Sequence, residues 1–148
     1  MTDTDDARQV RLHVPGDASS LALVRAISAH LAADAGFEPP DQHRIENAVY
    51  EVVENVLMHA YESISPKPPI EIVFTFCAEQ FQIDVIDRGD PFDFRCYIIP
   101  RFPDHWESET EHGLGLFVIE QCMDETHYEV LPNRTNRFRL TKRFTEKA

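Results

Sequence analysis

Polar and apolar positions alternate first at Val10, Leu12 and Val14, which predicts a strand. Pro15 and Gly16 end it. Asp17, Ser19 or Ser20 can then cap a helix that runs to about Ala35, where Gly36 supplies a stop. Leu21, Val24, Ser28 and Leu31 fall on one side of that helix. After the connector "FEPPD", Asp41 is placed to cap a second helix. Its apolar arc is Ile45, Val49, Val52, Val53, Val56 and Ala60. The proline-rich "SISPKPP" reads as a loop. Ile70, Ile72, Phe74 and Phe76 alternate, and so do Phe81, Ile83 and Val85, with "CAEQ" between them. Together they predict an antiparallel hairpin. From about Asp87 to His112 no period is visible, as in a functional loop or disordered segment. Helical spacing returns at Leu116, Ile119 and Met123. Two further strands follow, Thr126–Leu131 and Arg137–Phe144, joined by a turn over "PNRTN".

Strand, helix, helix, strand, strand, loop, helix, strand, strand predicts an α+β two-layer sandwich. It has a mixed, mostly antiparallel sheet of about five strands, with three helices on one face. At 148 residues, one domain spanning 1–148 is expected.

Composition narrows the partners. Asp and Glu number 26 against 14 Lys and Arg, a net charge of −12. Such a surface repels nucleic acid and anionic membranes, and neither is expected as a partner. It also repels phosphates at long range, so a nucleotide would need local donors or a metal ion. Cys77, Cys96 and Cys122 show no metal-binding spacing, as in a reducing compartment. The start "MTDTDDARQ" has neither the basic nor the apolar region of a signal peptide, and no apolar run nears membrane-spanning length. A cytoplasmic location is therefore expected.

Three stretches could carry chemistry. In "YEVVENVLMHAY", Glu51 and Asn55 lie one helical turn apart, with Asn47 before them and His59 after. The carboxylate can take a proton, and the amide oxygen can ligate Mg²⁺. In "DVIDRGDPFDF", Asp87 continues the apolar face of Phe81, Ile83 and Val85 and needs a hydrogen-bond donor, such as the amine of adenine. Gly89 would let backbone approach a flat ring. In "HGLGLFVIEQ", Gly113 and Gly115 precede a helix, an arrangement that favours phosphate. Taken singly, each also fits a plain alternative: a wet helix face, a strand-end turn, a loop-to-helix turn.

Taken in order, the three resemble the motifs of the GHKL ATPase superfamily, which includes gyrase and histidine kinase ATPases. Within it they are most similar to the bacterial anti-sigma factor serine/threonine kinase branch. "YEVVENVLMHAY" resembles its N-box, "DRGDPFDF" its G1 box and "GLGLFVIEQCMDE" its G2 box. "NRFRLTKRF" is similar to its last strand. The likeness runs from about Val10 to Phe144. It implies the GHKL (Bergerat) fold, ATP as substrate and Mg²⁺ as cofactor. It implies Glu51 as general base and Asn55 as the Mg²⁺ ligand. His59, Asp87, Gly89, Phe92, Gly113, Leu114 and Gly115 would lie around the nucleotide, with Asp87 reading adenine. Residues of about 94–112 would form an ATP lid.

The resemblance also implies partners: an anti-sigma factor antagonist of STAS type, a sigma factor and a second copy in a homodimer. The sequence departs from the branch at Asp90-Pro91 and in the acidic lid residues Glu107, Glu109 and Glu111. Arg95 and Arg101 are the lid's candidates for meeting the terminal phosphate. A non-catalytic module, binding ATP or no nucleotide and sequestering a partner, is the alternative. The catalytic half of a histidine kinase fits less well, because no helical segment with a phosphoacceptor histidine precedes the domain.

Overall fold

A computed structural model describes residues 7–91 and 111–145. The elements in chain order are β1 (Arg8–Val14), α1 (Ser20–Ala35), α2 (Pro39–Asn55), β2 (Ile70–Phe76), β3 (Gln80–Asp87), α3 (Glu111–Cys122), β4 (Glu125–Leu131) and β5 (Thr135–Arg143). The five strands form one sheet in the order β1-β2-β3-β5-β4. All four pairings are antiparallel, so the mixed sheet reduces here to an antiparallel one.

Alternation decides which face of the sheet is covered. Ile70, Ile72 and Phe74 of β2, Phe81, Ile83 and Val85 of β3, and Leu140 of β5 are fully buried. They share a core with Val24 of α1, Ile45, Val49, Val52 and Val53 of α2, and Leu116 and Ile119 of α3. Each such side chain contributes roughly 1.5–3 kcal/mol when withdrawn from water. The other face is polar. Arg139 grips Asp84 with two bonds of 2.8 and 3.1 Å, and Arg11 meets Glu71 at 3.0 Å.

The helix ends differ in detail from the sequence reading. Gly36 does stop α1: its φ of 105° is left-handed, and its N–H reaches the carbonyls of Ala32 and Ala33. Among the described residues no side chain caps the start of α1. Asp17 Oδ1 accepts from the N–H of Ser19 instead, and Ser20 Oγ donates to the Pro15 carbonyl at 2.7 Å. Asp41 does not cap α2 either. Pro39 and Pro40 form its first turn, where a missing N–H costs nothing, and Asp41 lies inside that turn. There Asp41 meets Arg44 at 2.8 Å and lies 3.7 Å from Lys142 Nζ. Lys142 in turn donates to the Cys122 carbonyl at 2.9 Å, which ties the end of α3 to β5.

The α geometry of α2 stops at Asn55. Residues Val56–Ala60 continue as one wider π turn, closed by a 2.9 Å bond from the Tyr61 N–H to the Val56 carbonyl. Single π turns inside helices are frequent at functional sites.

Candidate functional site

Two helices and a strand end meet at the π turn. A narrow apolar cavity, open at its mouth, is lined by Val52, Asn55, Val56 and Ala60 of the second helix and its π turn. Asp87 and Asp90 at the end of β3, Leu116 of α3, Tyr128 of β4 and Phe138 of β5 complete the lining. An apolar cavity with a few polar groups at its edge is the usual form of a small-molecule site.

Asp87 is 5% exposed and faces the cavity from the apolar side of β3. Its Oδ1 accepts from the Gly89 N–H at 2.8 Å and from Asn136 Nδ2 at 2.9 Å. Burial pushes its pKa up, and these two bonds pull it back down. Among the described residues both bonds fall on Oδ1, which leaves Oδ2 as the oxygen for a ligand.

The turn after β3 is pinned at several points. The Asp90 N–H donates to the Ala60 carbonyl at 3.0 Å, and the Arg88 N–H donates to Tyr61 Oη at 3.3 Å. Gly89 has to be glycine here because a Cβ would stand 2.5 Å from the Ala60 oxygen. The close approach predicted for a flat ring is therefore made, in this structure, to the backbone of the π turn. Tyr61, fully buried, also donates to the Pro69 carbonyl at 3.3 Å.

Glu51 and Asn55 are half-buried on α2, and α3 crosses directly over them. A Cβ built on Gly115 would meet Glu51 Oε2 at 3.0 Å and the Asn55 amide atoms at 3.6 and 3.7 Å. Burial raises the pKa of Glu51 first, and the nearby Glu54 raises it further. Arg25 of α1 lowers it. The Arg25 guanidinium lies 4.7 Å over the Tyr50 ring and donates to Asn47 Oδ1, so Asn47 supports this arginine.

The remaining predicted site residues are placed less closely. Gly113, Leu114 and Gly115 lie within α3, which begins at Glu111, two residues before Gly113. The helix thus starts earlier than the glycines imply. Of these three only Gly113 has its N–H in the first turn, where no partner within the helix is available. His59 lies in the π turn and is not among the cavity residues. Phe92, Arg95 and Arg101 lie outside the described residues, as does the predicted lid apart from its last two residues, which open α3.

Among the described residues no three His, Cys, Asp or Glu side chains form a metal-holding group. The single amide oxygen of Asn55 is nevertheless compatible with Mg²⁺. The ion keeps much of its water and is usually held by one or two protein oxygens together with substrate phosphates.

The model of the histidine kinase-like ATPase domain matches residues 14–142. The chain belongs to that family. It is 27% identical over 128 residues to the serine-protein kinase RsbW of Bacillus licheniformis, covering 84% of this chain and 80% of that one. It is 32% identical over 120 residues to the serine-protein kinase RsbW of Staphylococcus aureus, covering 78% and 76%. Two solved structures share the fold. One contains the RsbU and RsbW domains of Rv1364c from Mycobacterium tuberculosis, with a TM-score of 0.67 at 20% identity. It covers 95% of this chain but only 34% of that longer one. The other is the SiaB-SiaC complex from Pseudomonas aeruginosa, with a TM-score of 0.63 at 10% identity, covering 89% and 88%.

Proposed function

We propose that this histidine kinase-like ATPase domain is a serine/threonine protein kinase that acts as an anti-sigma factor. It would phosphorylate an antagonist protein in a partner-switching circuit. The observation that carries the reading is the crossing of α3 over α2, which brings Gly115 onto Glu51 and Asn55 beside the cavity that Asp87 lines. The serine-protein kinase names of relatives matched over three quarters of their length support it.

In this reading adenine enters the apolar cavity, and Asp87 Oδ2 accepts from its exocyclic amine. The phosphates extend toward Asn55 and the start of α3. Asn55 would hold Mg²⁺, which supplies charge neutralisation on the phosphates when bound. Glu51 accepts the proton from a serine or threonine hydroxyl of the antagonist. Its raised pKa brings it closer to neutral pH, where a general base is most effective. Positioning and electrostatics carry most of such a transfer. We assign the antagonist to the STAS type and the competing partner to a sigma factor, with a homodimer as the working unit in the cytoplasm. Among the described residues no helix is long and apolar enough to cross a membrane.

The test is incubation of purified protein with radiolabelled ATP, Mg²⁺ and the STAS-type proteins of its source. Phosphoserine or phosphothreonine on one of them, lost on chelation of Mg²⁺, is the expected result. Nucleotide-dependent capture of a partner with no phosphoprotein would make it the non-catalytic module instead.

A further inference from the structure

Asn136 belongs to none of the three chemistry-bearing stretches. It is the second residue of β5, and the β3–β5 register sets it directly across from Asp87. It is 1% exposed. Its Nδ2 donates to Asp87 Oδ1 and to the Gly89 carbonyl, both at 2.9 Å. A carboxamide nitrogen carries two hydrogens, so both are used. Its Oδ1 is buried with no hydrogen-bond partner among the described residues. Turning the amide over gives no relief, because Oδ1 would then face two acceptors. A buried acceptor without a partner is costly and calls for an explanation, and a functional constraint is one of the few available.

We infer that Asn136 is a specificity-determining positioning residue of the base pocket. By holding Asp87 Oδ1 with an N–H it leaves Oδ2 as the acceptor turned to the cavity, which selects a purine with an exocyclic amine over one with an oxygen at that place. The inference rests on the ATP reading above. Its chemistry is simple. A carboxylate only accepts, so it takes an amine N–H and repels a carbonyl oxygen. A carboxyl group that gains a proton can also donate, and the discrimination is lost. Burial drives Asp87 toward that neutral form, and the N–H groups of Asn136 and Gly89 oppose it. The Gly89 bond is local to the turn. The Asn136 bond comes from 49 residues away and exists only because β5 pairs with β3 in this register.

The test is calorimetric titration of the full chain with ATP and with inosine triphosphate, each with Mg²⁺. Wild type, Asn136→Leu and Asn136→Thr are compared. Leucine keeps much of the shape without a donor, and threonine restores one donor. Wild type is expected to prefer ATP by about tenfold or more, since a site built around a hydrogen bond rejects an analogue lacking it. Asn136→Leu should narrow that ratio to about threefold or less, and Asn136→Thr should recover most of it.

A merely structural Asn136 would weaken both nucleotides together and leave the ratio unchanged, which overturns the inference. If circular dichroism shows Asn136→Leu unfolded, Asn136→Asp decides. Two facing carboxyl groups share a proton, so the ratio should again narrow, and an unchanged ratio overturns the inference. A wild type that binds both nucleotides equally overturns it, and with it the reading of the adenine amine by Asp87, while leaving nucleotide binding and phosphoryl transfer intact. A wild type that binds neither overturns both.

Discussion

A methyl group on Gly115 would stand 3.0 Å from Glu51 Oε2, so the bare backbone of α3 is what lets the α2 carboxylate lie beneath it. The backbone itself does not call for glycine there: among the described residues only Gly36 is a glycine with positive φ. Gly115→Ala should therefore gain helix propensity of roughly 0.5–1 kcal/mol while displacing Glu51 by a few tenths of an ångström. The expected outcome is an unchanged or higher melting temperature with phosphoryl transfer reduced about tenfold, since small misplacements at the reacting groups are expensive. Thermal melts and single-turnover transfer assays measure the two effects separately. A variant with both properties at wild-type level would remove the contact from the account.

Glu51→Gln keeps the shape of the side chain and loses the base. Transfer to the antagonist should fall by about 10²–10⁴, while ATP affinity stays close to wild type. The pH profile gives an independent reading. Burial and Glu54 hold the Glu51 pKa above the ordinary carboxylate value, and Arg25 opposes them. A base works only when deprotonated, so the acid limb of kcat/KM should lie above the usual glutamate range. Glu54→Gln should move that limb to lower pH, and Arg25→Gln should move it to higher pH. Shifts in the opposite sense would exclude Glu51 as the titrating group.

The periodic parts of the fold were legible in the sequence, because Ile72, Phe74, Ile83 and Val85 alternate and Val49, Val52 and Val53 mark one helix face. All of these positions are buried. Glu51, Asn55 and Asp87 were singled out from the sequence as candidates, and the structure brings Asn55 and Asp87 to one cavity with Glu51 alongside. Asn136 was not. "PNRTN" has turn composition, yet the turn is confined to Pro132–Arg134, where Asn133 and Arg134 take positive φ, and Thr135 and Asn136 already pair as strand. Local composition cannot report a partner 49 residues away. The π turn was hidden for a similar reason, since Val56–Ala60 continues an apolar arc that fits an α-helix equally well.

Gly89→Ala tests whether the turn after β3 has to approach the π turn. A Cβ would lie 2.5 Å from the Ala60 oxygen and 2.6 Å from the Ala60 Cβ, so backbone on one side must move. That motion would break the 3.0 Å bond from the Asp90 N–H to the Ala60 carbonyl. A loss of about 1–3 kcal/mol is expected from the overpacking, with ATP affinity reduced in parallel because Asp87 belongs to the same turn. Denaturant unfolding and nucleotide titration check both, and wild-type stability would show that the turn has room to spare.

Asp87→Asn should make the nucleotide-free protein more stable at neutral pH and weaken its hold on ATP. Burial places the folded pKa of Asp87 above its unfolded value of about 3.9. As pH rises, the unfolded chain releases the proton first. The stability associated with Asp87 is therefore full below the unfolded pKa and is lost as pH rises through the folded one. At neutral pH the buried charge is a cost. Asparagine cannot ionise, and its Oδ1 can still accept from Gly89 and Asn136. The variant should then melt above wild type at pH 7, by about 2–4 °C for each kcal/mol recovered in a chain of this size. The difference should close toward pH 4 as wild-type Asp87 takes up its proton. ATP affinity at neutral pH should fall tenfold or more, about 1.4 kcal/mol, because an amide N–H would meet the adenine amine where a carboxylate oxygen was needed. Melting curves from pH 4 to 8 beside calorimetric titrations decide the matter. A lower melting temperature with unchanged ATP affinity would mean that Asp87 serves the fold and reads no base.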